Sequence, residues 1–282
     1  MTSVKSCLRD KAVSIIRRLP PLSAGGTRLL SALARRDTEV RELVAIIQRD
    51  PLLAAHVLEI ANSGAFGRLR RIETITHAVA FLGPLTLRRY AVSWTMAGLF
   101  KRLTVPPGWS MTRFSMHSEA TAQLTDILCD TVSVEGADAA LLAGLVHDIG
   151  KFVICAEAPD AIEHILSLRT EGVSATETER EVLGIDHAEI SSMAAAQWHL
   201  TDETCRAIHF HHEPERDSAG HGTPLSLLLS KSDQFINGLG LSFLSSPLDA
   251  AATIEIEGCE ADMNHTLKSF EAVWRASTAN VA

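Results

Sequence analysis

Gly144-Leu145-Val146-His147-Asp148-Ile149-Gly150-Lys151 sets a histidine and an aspartate side by side in an otherwise apolar run, with a lysine one turn later. Burying an imidazole and a carboxylate is costly unless they are paired or bound to a metal. His117, His187, the adjacent His211 and His212, and Asp233 also fall where helical periodicity calls for apolar residues. Imidazole and carboxylate together suit iron, manganese, zinc and similar first-row ions. On a continuous helix His147 and Asp148 project about 100° apart, so both reach one cavity only near its wall. An aspartate can offer one oxygen to each of two ions, which makes Asp148 the natural shared ligand of a dinuclear site.

A single histidine is more often a hydrogen-bonded core or surface residue than a ligand, and His56, His77, His164, His199, His221 and His265 are read that way. His209 lies one helical face from His211-His212 and is left out of the set. Trp94, Trp109, Trp198 and Trp274 read as core or boundary aromatics, and Asn62-Ser63 as a helix stop. The short basic cluster Arg68-Leu69-Arg70-Arg71 reads as a solvated loop.

The elements that must carry these residues are helical. Leu and Ala dominate, and one Tyr occurs in 282 residues. Two prolines end a short helix over 11–18 at Leu19-Pro20-Pro21-Leu22, and a further helix is expected over 27–34. Asp37 or Thr38 opens a helix with Val40, Leu43, Val44 and Ile47 on its apolar face. Asp50-Pro51 is a strong start signal for the next, which stops near Asn62-Ser63-Gly64. Thr74 opens another, and Gly83-Pro84 ends it and begins a long one through Leu99.

Thr104-Val105-Pro106-Pro107-Gly108-Trp109 reads as a linker, dividing a helical N-terminal subdomain, 1–105, from a histidine-bearing one, 106–282. In the second part a helix over 110–129 carries His117. Another, capped by Asp138, runs through His147-Asp148 to Phe152. Helices follow over 159–169 and 174–183. Asp186 caps the helix that opens with His187, and Asp202 starts the one leading to His211-His212. Leu225 opens the helix of Asp233, Ile254 to Glu257 could form a short strand, and 260–276 reads as a terminal helix.

A net charge of −8 argues against nucleic acid as partner. No apolar run approaches the ~18–20 residues of a membrane span, and Met1 to Cys7 lacks the apolar stretch of a signal peptide. Five cysteines without C-x-x-C spacing read as reduced thiols, so a cytoplasmic protein is expected.

The order H…HD…H…HH…D resembles the HD superfamily of metal-dependent phosphohydrolases, with His117, His147, Asp148, His187, His211, His212 and Asp233 at the metal-ligand positions. Lys151 matches the lysine that contacts substrate phosphate in HD-GYP relatives. Leu19-Pro20-Pro21-Leu22, Asp50-Pro51-Leu52-Leu53, Ile60-Ala61-Asn62-Ser63 and Ala78-Val79-Ala80-Phe81-Leu82-Gly83 resemble the HDOD family, the HD-related output domain of bacterial signalling proteins. Trp198 and His211-His212-Glu213-Pro214 extend that resemblance, which covers about 13–240. It implies an all-α fold in which a helical N-terminal subdomain packs on an HD-type core. HD-GYP enzymes continue from His-His-Glu into a Gly-Tyr-Pro loop. Here Pro214-Glu215-Arg216-Asp217-Ser218-Ala219-Gly220 follows, which argues against cyclic-di-GMP hydrolysis.

The resemblance implies a signal-transduction output module with an HD-type site for a divalent metal, iron or manganese, as one ion or two, and a protein partner. The alternative is a metal-dependent phosphohydrolase acting on a nucleotide or other phosphoester, and whether the chain is an enzyme stays open. An ion that only clamps the core is a third reading.

Overall fold

A computed structural model of the chain describes residues 10, 14, 16, 24–35, 38–63, 71–100, 110–157, 165, 174–218, 222–241 and 267–272. Outside the described residues lie the Leu19–Leu22 break, Arg68 to Arg70, the Thr104–Trp109 linker and the strand expected at 254–257. The same holds for His164, His221, His265, Cys7, Cys259, Trp109, Trp274, and most of the helices expected at 11–18, 159–169 and 260–276. The chain forms two compact units, Pro20–Leu103, and Thr104–Ala282 together with Met1–Leu19.

The first unit holds α1 (Ala24–Ala34), α2 (Val40–Gln48), α3 (Pro51–Ala61) and α4 (Ile75–Phe100). Asp50 caps α3 by accepting from the Leu52 and Leu53 amides, both at 3.1 Å, with Pro51 in the first turn where its missing N–H costs nothing. Asn62 does more than stop α3. Its amide nitrogen donates to the Leu58 and Ile72 carbonyls (2.7 and 2.9 Å) and its oxygen accepts from the Ile72 amide (2.7 Å), pinning the far side of the connection to α4. Thr74 caps α4 through the His77 amide at 3.2 Å. Gly83 (φ 70°, ψ 168°), followed by Pro84, bends α4 at the point where two helices were expected to meet. α4 packs on α1, α2 and α3. Leu29, Leu30, Ile47, Leu53, Ile72 and Leu87 are each at or below 1% exposure in this core, and burying each such side chain contributes about 1.5–3 kcal/mol.

The second unit runs α5 (Met111–Leu128), β1 (Val134–Glu135), a 3₁₀ turn (Ala137–Ala139), α6 (Ala140–Val146), α7 (Ile149–Glu157), α8 (Ala175–Leu183), α9 (His187–Gln197) and α10 (Asp202–Phe210). It continues through a 3₁₀ turn (Pro214–Arg216), β2 (Thr223–Pro224) and α11 (Leu225–Ile236) to a π-helical turn (Asn237–Leu241). α5 packs on α6 and α11, α9 on α7 and α10, and α10 on α6 and α11. β1 and β2 pair in parallel, Val134 with Thr223 and Glu135 with Pro224. Two residues per strand leave the fold all-α. Among the described residues, no helix is long and apolar enough to cross a membrane.

Three local expectations change. Thr38 does not cap α2, whose N-cap is Glu39 without a side-chain hydrogen bond; the Thr38 hydroxyl donates to the Ala32 carbonyl instead, and Asp37 lies outside the described residues. Asp138 lies inside the 3₁₀ turn, and α6 begins after Ala139 without a side-chain cap. The single helix expected through Phe152 is instead two, α6 and α7, parted at His147-Asp148. The partners of the intervening turn are taken by side chains. His147 Nδ1 bonds the Gly144 carbonyl (2.8 Å), and the Gly150 amide donates to Ser191 Oγ (2.8 Å).

Candidate metal centre

His147 and Asp148 lie in the turn between α6 and α7, where His147 keeps helical dihedrals (φ −55°, ψ −35°). Glycine makes the approach of neighbouring helices possible on both sides. A Cβ on Gly144 would stand 2.4 Å from Ala122 Cα on α5, and one on Gly150 would stand 2.1 Å from the His187 carbonyl oxygen on α9. Ser191 completes the second contact by accepting from the Gly150 amide and donating to the His187 carbonyl at 2.7 Å.

Around this turn the structure brings together all seven residues singled out in the sequence, as two groups that share Asp148. In the first, contributed by α5, the α6–α7 turn and α11, His117 Nε2 lies 3.1 Å from Asp233 Oδ1, 3.5 Å from Asp148 Oδ2 and 3.4 Å from His147 Nε2. His147 Nε2 lies 3.5 Å from each of the two carboxylate oxygens. In the second, contributed by α9 and the end of α10, Asp148 Oδ1 lies 3.3 Å from His187 Nε2 and 3.9 Å from His211 Nε2. His187 Nε2 and His212 Nε2 stand 2.8 Å apart. One oxygen of Asp148 thus faces each group. The first group is wholly buried, whereas His212 opens the second to solvent.

Several features fit a bound cation. Donors held about 2.0–2.2 Å from one ion stand roughly 3.0–3.5 Å from one another, the spacing found in the first group. His147, His187 and His211 each bond an acceptor through Nδ1: the Gly144 carbonyl, Glu179 Oε2 (2.7 Å) and the Ile208 carbonyl (2.6 Å). A carbonyl or carboxylate at Nδ1 selects the tautomer that leaves Nε2 as a lone-pair donor. Asp148 Oδ1 and His211 Nε2 are buried without a hydrogen-bond partner among the described residues. Buried polar atoms are rarely left so. The donor chemistry is that of a divalent metal.

The charges agree with a carboxylate-rich first group. Burial alone would lower the His117 pKa, but Asp148 and Asp233 outweigh it and hold it up at about 9. His211 goes the other way, pushed down to about 3 by burial and by its neighbours His147 and His187. Burial would raise the Asp148 carboxyl, yet His147, Lys151, His117 and His187 keep it well below the usual carboxylate range. Asp233 is lowered likewise against burial, chiefly by His117 and His147. Lys151 Nζ sits 2.6 Å from Asp148 Oδ2. Burial would depress its ammonium, and the Asp148 and Asp233 charges raise it instead.

The other histidines have different surroundings. His56 stacks on Trp94 with ring centroids 4.7 Å apart, His209 packs edge-on against Phe210, and His77 and His199 are exposed. Glu179 was not singled out in the sequence. It looks like one more charge in Ala175-Thr176-Glu177-Thr178-Glu179-Arg180, and only its place in the buried Thr176, Glu179, Leu183 row could have marked it.

Residues 19–214 match the family profile described as the HDOD domain. An uncharacterised protein of Treponema pallidum (strain Nichols) is 25% identical over 210 residues, 71% of this chain, and the chain spans only 39% of that protein's length. Among solved structures, an HDOD domain protein of unknown function from Geobacter sulfurreducens superposes with a TM-score of 0.70 at 20% identity, over 95% of this chain and 97% of that one. A Shewanella amazonensis SB2B protein, provisionally assigned as a phosphohydrolase, gives a TM-score of 0.67 at 24% identity over 93% of each chain. At these identities the likeness to the solved structures is one of fold.

Proposed function

The chain belongs to the HDOD domain family, and from that premise we propose that it is a bacterial, cytoplasmic signal-transduction output module whose HD-type core holds a dinuclear iron or manganese site. The observation that carries this reading is Asp148, buried with one oxygen toward His117, His147 and Asp233 and the other toward His187, His211 and His212. These seven residues hold the metal. The first unit carries the HDOD-like motifs and no comparable donor set among its described residues, which supports a docking role toward a protein partner. The surplus of acidic residues disfavours nucleic acid as that partner.

Elemental analysis of protein purified without chelator gives close to two equivalents of iron or manganese under this reading. In-cell crosslinking recovers a protein partner. Metal-free protein that neither takes up Mn²⁺ nor shifts its melting temperature would sink the metal part.

A second reading, phosphohydrolysis, rests on a separate observation. Lys151 places a cation beside Asp148, and the half of the cluster that includes His212 is open to solvent. A divalent ion held there supplies Lewis acidity toward a phosphoryl oxygen. Lys151 is then placed to contact the phosphate of a nucleotide or other phosphoester, and the absent Gly-Tyr-Pro loop argues against cyclic-di-GMP as that substrate. A phosphoester panel with Mn²⁺-loaded protein tests it: turnover no greater than that of an Asp148→Ala control would rule hydrolysis out.

A further inference from the structure

We infer that Glu179 is a positioning residue for one half of the cluster only, fixing the tautomer and aim of His187 so that the open donor group can bind its ion. The inference rests on the dinuclear reading above. Glu179 is 5% exposed and His187 is fully buried. Glu179 Oε2 receives two N–H bonds from the same residue, the His187 backbone amide at 2.8 Å and the ring Nδ1 at 2.7 Å. A carboxylate that accepts from the amide presents an acceptor to the ring as well, so the proton belongs on Nδ1 and the Nε2 lone pair faces Asp148 and His212. Glu179 is on the Nδ1 side of the ring, away from the donor atoms, and is not a further ligand.

The next residue extends the arrangement. Arg180 Nε donates to Asp186 Oδ2 and its Nη1 to Glu213 Oε1, both at 2.5 Å. Asp186 caps the helix that His187 opens, and Glu213 directly follows His211-His212. Through two adjacent residues α8 therefore braces the elements that present His187, His211 and His212. The buried group is held differently. Its His147 is anchored to the Gly144 carbonyl in the preceding turn, and its Asp233 accepts from Asn237, the residue that ends α11, at 3.0 Å. Neither bond involves α8.

Glu179 could instead serve only as a counter-charge at the start of α9, stabilising the helix without regard to metal. Calorimetric titration of the metal-free full chain with Mn²⁺ separates the two roles. Wild type binds two ions. Glu179→Gln, isosteric but uncharged, weakens one of them by about 10–100-fold, the usual cost of losing a ligand's outer partner. The other shares Asp148 with it but makes no contact with Glu179, and weakens by clearly less. Two unchanged affinities, or two that fall equally, in a variant that melts cooperatively would overturn the inference while leaving the dinuclear reading intact. Wild type that binds no Mn²⁺ would overturn that reading, and the inference with it. Should the variant not fold, long-range ¹H–¹⁵N spectra of zinc-loaded wild type decide the matter: His187 protonated at Nδ1 is the expected result, and a bare Nδ1 overturns the inference.

Discussion

The two units bury different chemistry. Among the described residues of Pro20–Leu103, every buried side chain is apolar, from Leu29 and Leu30 to Leu87 and Ala91. The histidine-bearing unit buries His117, His147, Asp148, Glu179, Asp186, His187, His211 and Asp233, each at or below 5% exposure. An apolar core is stabilised simply by leaving water. A core of imidazoles and carboxylates is costly until each group has a partner. The described core of the first unit therefore draws its stability from burial alone, and the second should depend on what binds to it. The sharpest test removes the residue on which both donor groups converge. Asp148→Ala should reduce metal content to background at both groups, a larger loss than the roughly 10–100-fold attached to an outer partner. Elemental analysis that still found one full equivalent would mean that the groups are independent.

The counterpart lies in the apolar unit. Leu30 is fully buried, so Leu30→Ala should lower unfolding stability by about 2–5 kcal/mol, the range for a leucine truncated in a packed core. Urea denaturation measures the loss, and Mn²⁺ affinity should stay at the wild-type value. A matching fall in affinity would break the separation between a packing core and a binding core.

Between these extremes stands Gly150, where packing and binding meet. An alanine there would press its Cβ to 2.1 Å from the His187 carbonyl, a backbone atom with little room to yield. Gly150→Ala should cost about 1–3 kcal/mol, as overpacking does. It should also shrink the gain in melting temperature that metal provides, because the same shift displaces His187. A stability loss with the metal-dependent gain unchanged would show that α7 and α9 can separate without disturbing the open group.

Much of this architecture was legible because its signals are local. Asp50-Pro51 and Asp186 mark helix starts through bonds spanning two or three residues, and the sequence alone carries such bonds. The seven donor positions stood out because each interrupts an apolar helical pattern. The break at His147-Asp148 was not legible, since it depends on Ser191 taking the Gly150 amide from another helix. The parallel pairing of Val134 with Thr223 joins two-residue strands too short for any alternation to register. Glu179 escaped notice because a buried glutamate within a charged helical segment has the same letter as a solvated one. Only the fold distinguishes them.

The smallest expected effect is that of pH on the metal-free protein, and it separates the two donor groups by sign. The ordinary histidine value of 6.5 stands for the unfolded chain. His117, held up at about 9 by Asp148 and Asp233, binds its proton more tightly when folded. Its contribution is fully present below pH 6.5 and is lost as pH rises from 6.5 to about 9. His211, pushed down to about 3, is kept neutral by the fold, so stability is lost as pH falls from 6.5 toward 3. Asp148 and Asp233, both lowered, add to that acid limb below the usual carboxylate range. Metal-free protein should therefore be most stable near pH 6.5 and weaken on both sides, the alkaline limb belonging to the buried group and the acid limb in part to the open one. Bound metal requires a neutral His117, so loading at pH 7 should release a proton and affinity should climb with pH toward about 9. Urea denaturation of chelator-treated protein from pH 4 to 10 measures both limbs. A flat profile between pH 6.5 and 9 would mean that His117 is not held between the two carboxylates in solution, and that the buried group is less closed than its geometry indicates.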